Sequence, residues 1–226
     1  MLYFATASGP GPRDAMDCGL IGQIVTPVAG NRLETGRVWC ADNAAFTGGY
    51  PGDDAYLRWL GARAHLAADC RFAVAPDVPF DAAATLALSA PMLPRIRALG
   101  YPVALCAQDG LEHLDVPWDD FDVLFIAGST EWKVSAAASV LVMQAKERGK
   151  WVHMGRVNSR KRLLLAQRMG CDSADGTYLA FGPDVNLPRL LGWIDQADQS
   201  PVLSLSGCPS PQGEHRGSNP NRTAAS

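Results

Sequence analysis

Apolar residues along this chain gather into eight short runs, each closed by a polar residue or a glycine. The runs span Leu2 to Ala7, Ile21 to Thr26, Val38 to Asp42, Phe72 to Asp77, Val103 to Gln108, Val123 to Ala127, Trp151 to Gly155 and Cys171 to Thr177. Their nearly unbroken Val, Ile, Ala and Cys content suits parallel strands covered on both faces. Between them the pattern turns helical at Asp53 to Ala68, Ala82 to Leu99, Val134 to Arg148 and Ser159 to Met169, with a last segment near Leu187 to Ile194. The connections after the first, second and fifth runs carry the faintest helical pattern.

Strand followed by helix, eight times over, predicts an α/β chain folded as a compact (β/α)8 TIM barrel with tight loops and some connections reduced to turns. Helix ends agree with that count. Asp53-Asp54 places negative charge where a helix begins, Asn158-Ser159 offers a cap before Arg160-Lys161-Arg162, and Gly100, Gly149 and Gly170 each follow a helical stretch. With 226 residues, 47% of them apolar, the chain can bury one sizeable core, expected over 1–198. From Gln199 to Ser226 the composition shifts to Ser, Pro, Gly, Asn and Arg, which predicts a disordered C-terminal tail. Cys208 and His215 in that tail are too few to define a metal site, and Asn221-Arg222-Thr223 is a glycosylation sequon without meaning in a cytosolic chain.

A net charge of −3 excludes the global basic field that drives loose nucleic-acid binding, so any polyanion contact must come from a local patch. The six cysteines avoid zinc-ribbon spacings, and three of them fall in strand-like runs with Cys70 just before a fourth, as buried reduced thiols do. Met1 opens directly into Leu2-Tyr3-Phe4, without the basic start and apolar length of a signal peptide, and no run reaches membrane-spanning length. The expectation is a soluble cytoplasmic protein with no membrane partner, no metal and no cofactor.

The candidate chemistry lies at the run ends, because strand tips line the mouth of such a barrel. They present Asp42, Asp77, Gln108-Asp109-Gly110, Gly128-Ser129, Met154-Gly155-Arg156 and Asp175. Carboxylates, an amide and closely approaching backbone suit a flat heterocycle with several N–H donors, such as guanine. Two further carboxylates can serve as nucleophile on a sugar carbon and as proton shuttle.

In order, Asp42-Asn43-Ala44-Ala45-Phe46, Pro76-Asp77, Gln108-Asp109-Gly110, Ala127-Gly128-Ser129, His153-Met154-Gly155 and Gly170-Cys171-Asp172-Ser173-Ala174-Asp175 resemble the strand-end motifs of the tRNA-guanine transglycosylase (queuine tRNA-ribosyltransferase) family. The resemblance implies Asp175 as nucleophile and Asp42 as general acid/base. It implies Asp77, Gln108, Gly128, Ser129 and Gly155 as readers of the base edge, with Phe46 and Met154 sandwiching the ring. The family's zinc-binding element is absent. Alanines replace the glycines after Asp42, Val78 replaces the partner after Asp77, and Gly176-Thr177-Tyr178 replaces the motif after the nucleophile. A compact chain without zinc is most similar to the phage-type branch that inserts 7-deazaguanines into DNA. The expected partners are therefore a 7-deazaguanine and a DNA or tRNA acceptor, DNA preferred, with a homodimer or partner subunit as a further option. Phosphate contact would fall to Arg156, Arg160, Lys161 and Arg162 at a helix start.

Plainer readings stand beside these. Asp42 can cap its own turn, Asp77 can open one, and Asp172 competes with Asp175 for the nucleophile. Arg160-Lys161-Arg162 can be a solvated helix face. His153, inside an apolar run, reads as a satisfied core histidine, and Trp118 and Trp132 as loop covers, Trp132 with the option of lining the mouth. As a whole, the site also suits a nucleoside or glycoside hydrolase, or a non-catalytic nucleic-acid-binding barrel.

Overall fold

A computed structural model describes residues 1–199. Eight parallel strands, β1 (Leu2–Ala5), β2 (Gly22–Val25), β3 (Trp39–Ala41), β4 (Cys70–Val74), β5 (Val103–Ala107), β6 (Val123–Ile126), β7 (Trp151–Met154) and β8 (Ser173–Asp175), close into a barrel in chain order. Closure joins β1 to β8, with Tyr3 opposite Ala174 and Phe4 opposite Asp175. The predicted TIM barrel is the observed fold, and every predicted strand is present but shorter, with β4 also beginning two residues earlier than expected.

The helices are α1 (Pro10–Asp17), α2 (Asp53–Gly61), α3 (Ala82–Ser89), α4 (Leu93–Arg97), α5 (Thr130–Lys133), α6 (Ala136–Glu147), α7 (Arg160–Met169) and α8 (Pro183–Asp198). Two of the connections with the faintest helical pattern are the ones without an α-helix. No α-helix follows β2, and β5 is followed only by a 3₁₀ turn at Leu111–His113. The predicted helix over 82–99 is two helices, broken where Pro91 and Pro94 interrupt the backbone ladder. A helix does follow β1, opened by Pro10 in its first turn. Ser159 accepts from the Arg162 N–H as the expected cap of α7, and Gly100, Gly149 and Gly170 all take positive φ. The helix α8 ends at Asp198, where the barrel region was expected to end; the expected tail, with Cys208, His215 and Asn221, lies outside the described residues. No described helix is long and apolar enough to cross a membrane.

Alternation along each strand sorts side chains into two layers. Tyr3, Trp39, Ala73, Leu105, Leu124, Val152 and Ala174 face outward and pack under the helices. Phe4, Cys40, Phe72, Val74, Ala104, Cys106, Val123 and Phe125 point into the barrel. Within it, the Phe4, Phe72 and Phe125 rings surround fully buried His153, at 5.8, 4.9 and 4.5 Å between centroids. This aromatic plug fills the barrel at mid-height. Above it, the next inward positions lie at the strand tips.

Candidate active site

On β3, Cys40 points inward, so period two returns the chain inward at Asp42; on β8, Ser173 does the same for Asp175. Both carboxylates line one cavity of about 280 Å³ above the aromatic plug, with β1 and β2 between their strands. That volume is slightly below the ~300–1,000 Å³ of most small-molecule sites and suits a single flat heterocycle. Asp77, Gln108, Phe46, Gly155 and Arg156 line it as expected, joined by Asn43, Cys106, Phe125 and threonines 6, 26, 47 and 177.

Asp42 Oδ1 accepts the Ala44 N–H at 2.7 Å, so its capping role is real and does not prevent its facing the cavity. Burial pushes its carboxyl up to about 7; the Ala44 hydrogen bond opposes that rise, and the charges of Asp175 and Asp77 add to it. Asp77 is also raised by burial. It accepts from Asn43 Nδ2 at 2.8 Å and Gln108 Nε2 at 2.6 Å. Gln108 Oε1 in turn accepts the Phe80 N–H at 2.9 Å. Gln108 thus holds Asp77 and the β4 loop together instead of standing free to read a ligand.

Asp175, its side chain 13% exposed, accepts from His153 Nε2 at 2.9 Å through Oδ2 and from the Arg156 N–H at 3.0 Å through Oδ1. Behind it, His153 Nδ1 meets Ser173 Oγ at 2.8 Å, and Trp151 Nε1 donates to the same Oγ at 2.8 Å. A carboxylate at Asp175 can only accept, which assigns the proton of a neutral imidazole to Nε2; Nδ1 then accepts from the Ser173 hydroxyl, whose oxygen accepts from the indole. A directed chain from Trp151 through Ser173 and His153 therefore orients the carboxylate. His153 is the satisfied core histidine expected, and its partner is the candidate nucleophile. The next glycine is enforced by space: a Cβ on Gly176 would lie 2.5 Å from Tyr3 Oη and 2.7 Å from the Val157 carbonyl.

Asp172, three residues earlier, does not reach the cavity. It pairs with Lys146 at 2.7 and 2.8 Å and accepts the Val152 N–H at 2.8 Å. Of the two aspartates, Asp175 lines the cavity and Asp172 does not.

Several expected site residues lie elsewhere. Met154, out of phase with inward His153, is buried in the layer under the helices and cannot sandwich a ligand. Gly128 and Ser129 do not line the cavity. A Cβ on Gly128 would meet the Trp132 ring at 2.5 Å. Ser129 caps α5 and is bound by Asp109 through its N–H at 2.6 Å and its hydroxyl at 2.5 Å. Trp132 donates to Glu112 at 2.9 Å, and Trp118 packs on Phe121, both as loop covers. Arg160 and Lys161 are exposed and do not line the cavity, and Arg160 donates to Gln196 at 2.8 Å. Arg156 does line it, its Nη2 donating to the Ala127 and Gly128 carbonyls.

Residues missed from sequence include Asn43, buried beside Asp42 and bound to Asp77, and Lys133, 4% exposed, whose Nζ donates to the Gly155 carbonyl at 2.5 Å. Burial together with Arg156 brings Lys133 down to about 8, against the pull of Asp175. Neither Asn43 nor Lys133 was legible in a local pattern: the Asn43 contact with Asp77 closes across 34 residues, and α5 is a single turn whose burial depends on loop packing. Five described cysteines are free, four of them buried. Among the described residues no group of three or more His, Cys, Asp or Glu side chains is gathered to hold a metal ion.

No family model matches this sequence, and no curated protein matches it. Among solved structures, it is similar to tryptophan synthase from M. tuberculosis in its aminoacrylate- and BRD0059-bound form, with a TM-score of 0.47 and 16% identity, over 86% of this chain and 67% of that one. It is similar also to an open form with BRD0059 bound, with a TM-score of 0.46 and 17% identity, over 84% of this chain and 65% of that one. The chain thus spans about two thirds of the length of those proteins. Likenesses so distant carry no functional argument; fold and site are read from the chain itself.

Proposed function

We propose that this protein is an enzyme of the pentosyltransferase type, a nucleic-acid guanine transglycosylase that exchanges guanine for a 7-deazaguanine. The observation that carries the reading is the pair Asp42 and Asp175, two carboxylates in unlike environments on one heterocycle-sized cavity. Reactions at a sugar carbon with net retention need such a pair, one oriented for attack and one able to hold or release a proton near neutrality.

In the first displacement, an Asp175 oxygen bonds to C1′ of a guanosine nucleotide as the C1′–N9 bond breaks. Protonated Asp42 supplies the proton that lets guanine leave neutral. Its carboxyl at about 7 suits both halves of the cycle. In the second, Asp42 takes the N9 proton of the incoming 7-deazaguanine, whose nitrogen attacks C1′ while the Asp175 ester bond breaks. Protons and charge balance over the two steps. Asp77 accepts from the base edge: each carboxylate oxygen has two acceptor positions, so its bonds to Asn43 and Gln108 leave room for N1–H and the exocyclic amine. Phe46 covers the ring. The base must leave its stack to reach this depth. DNA is proposed ahead of tRNA as acceptor, and the assay below is run with each separately. The buried free thiols fit a reducing cytoplasm.

Incubation with guanine-containing DNA or tRNA and a 7-deazaguanine should trap a protein–nucleic-acid adduct that survives denaturation and is missing from Asp175→Ala. If the wild type forms no adduct with either acceptor, the proposal fails. Release of free guanine without uptake of labelled base would point instead to a hydrolase using water as acceptor.

A further inference from the structure

Among the described residues, three that are not glycine hold a left-handed backbone: Ala44 at φ 64°, Phe80 at φ 70° and Arg156 at φ 59°. The conformation is uncommon for any L-residue and an outlier for one as bulky as phenylalanine. The three follow β3, β4 and β7, far apart in sequence, yet they serve one cluster on the cavity rim. Ala44 starts the turn that carries Phe46. The Phe46 and Phe80 rings meet edge to face at 6.1 Å. The Arg156 guanidinium lies 4.3 Å from the first ring centroid and 5.7 Å from the second.

Each strained N–H is bonded to a side chain of the cavity. Ala44 donates to Asp42, Phe80 to Gln108 and Arg156 to Asp175. The residues that build the pocket therefore also set the rim. Core packing does not explain the arrangement, since Phe46 is 55% and Phe80 48% exposed. Strained backbone persists where its surroundings over-determine it, and gathers where ligands are held.

We propose that Phe46, Arg156 and Phe80 form a docking site for single-stranded nucleic acid, on which a base flanking the target nucleotide stacks while Arg156 meets a phosphate. Exposed aromatic faces with a cation between them are the recurring means of holding unpaired strands without regard to sequence. Arg156 has the carboxylates of Asp175 and Asp109 beside it as well as the Arg162 and Lys133 cations, so the guanidinium itself, seated between the two rings, is the group that would meet a phosphate. A duplex stacks its bases on one another and offers no open face to Phe80. The inference rests on the transglycosylase reading for what fills the cavity, so its test uses a strand without guanine.

The test is fluorescence anisotropy of labelled oligothymidylate with the full chain at fixed low salt. Phe80→Ala should weaken binding on the order of 10-fold, as loss of one base–aromatic stack does. Phe80→Gly, which relaxes the strained turn as well as removing the ring, should weaken it equally, and Phe80→Trp should keep it. Arg156→Ala should weaken binding and flatten its salt dependence. A hairpin duplex of the same length should bind no better than the oligomer binds Phe80→Ala. The proposal is overturned if wild type does not bind the oligomer, if both Phe80 truncations bind as wild type does, or if the duplex binds as tightly as the single strand. An adduct formed by wild type alongside unchanged oligomer binding by Phe80→Ala removes only this docking site. Phe80-dependent binding with no adduct from any acceptor removes only the transglycosylase reading.

Discussion

The two ends of the barrel hold similar side chains under opposite rules. At the end where strands begin, a depression of about 590 Å³, larger than the cavity at the strand tips, is lined by Met1, Lys146, Asp172 and Asp198. Its charges are spent on one another: Lys146 pairs with Asp172, and the Met1 amino group with Asp198. At the strand tips, Asp42 and Asp77 share a smaller cavity with Asp175, and neither has a cation in ion-pair contact among the described residues. Size alone would select the wrong end. A fold that neutralises carboxylates at one end and leaves them raised and unneutralised at the other keeps the second end for something other than stability.

The comparison is broken most severely at the residue pair that spans it. Asp175→Ala should lower base exchange by roughly 10⁴-fold or more, as removal of a covalent nucleophile does, while Asp172→Asn leaves exchange intact; single-turnover kinetics on both variants checks this. Loss of exchange in Asp172→Asn with retention in Asp175→Ala would reverse the assignment.

Next in size is Asp42→Asn, expected to cost roughly 10²–10⁴-fold in exchange and to abolish a rate inflection near pH 7. The same substitution has a stability signature of determinate sign. Folded Asp42 titrates at about 7 and an unfolded aspartate near ~3.9, so between those values the native state binds more protons. That stabilisation is complete below about pH 4 and is lost as pH rises through about 7. Asp42→Asn should therefore gain in melting temperature relative to wild type as pH is raised from 4 to 8. A constant difference across that range would contradict the buried-acid description.

A smaller effect is expected behind Asp175. His153→Phe keeps an aromatic ring in the plug but removes the donor to Asp175, and should lower kcat by roughly 10²-fold through misorientation while changing KM little. A KM effect alone would assign His153 to binding instead. The least effect belongs to the far end, where Asp172→Asn should cost about 0.5–1 kcal/mol in a denaturant titration, because the partner Lys146 is 40% exposed and its ion pair is screened.

The barrel was legible in the sequence because parallel strands buried on both faces leave continuous apolar runs, and the carboxylates were legible because strand tips end those runs. What was lost follows from two physical causes. Met154 was placed in the cavity by motif, although strand period two, counted from inward Phe125 to Ala127 and from His153 to Gly155, puts Met154 and Gly128 on the other phase. Phe80, Asn43 and Lys133 could not be read from any local pattern. Their positions depend on hydrogen bonds closed between loops, such as Phe80 to Gln108 across 28 residues and Asn43 to Asp77 across 34. The helix over 10–17 was hidden by its own Pro and Gly, of which Pro10 is favourable only because it falls in the first turn.

The aromatic plug at mid-height has a kinetic corollary. Phe4, Phe72, Phe125 and His153 pack against one another across the barrel beneath the cavity, which leaves the strand-tip side as its doorway. Whatever is released and whatever replaces it must pass the same threshold, and a chamber of about 280 Å³ has no second berth in which the newcomer can wait. On the proposed exchange, the two bases would pass in two strokes, departure and then arrival.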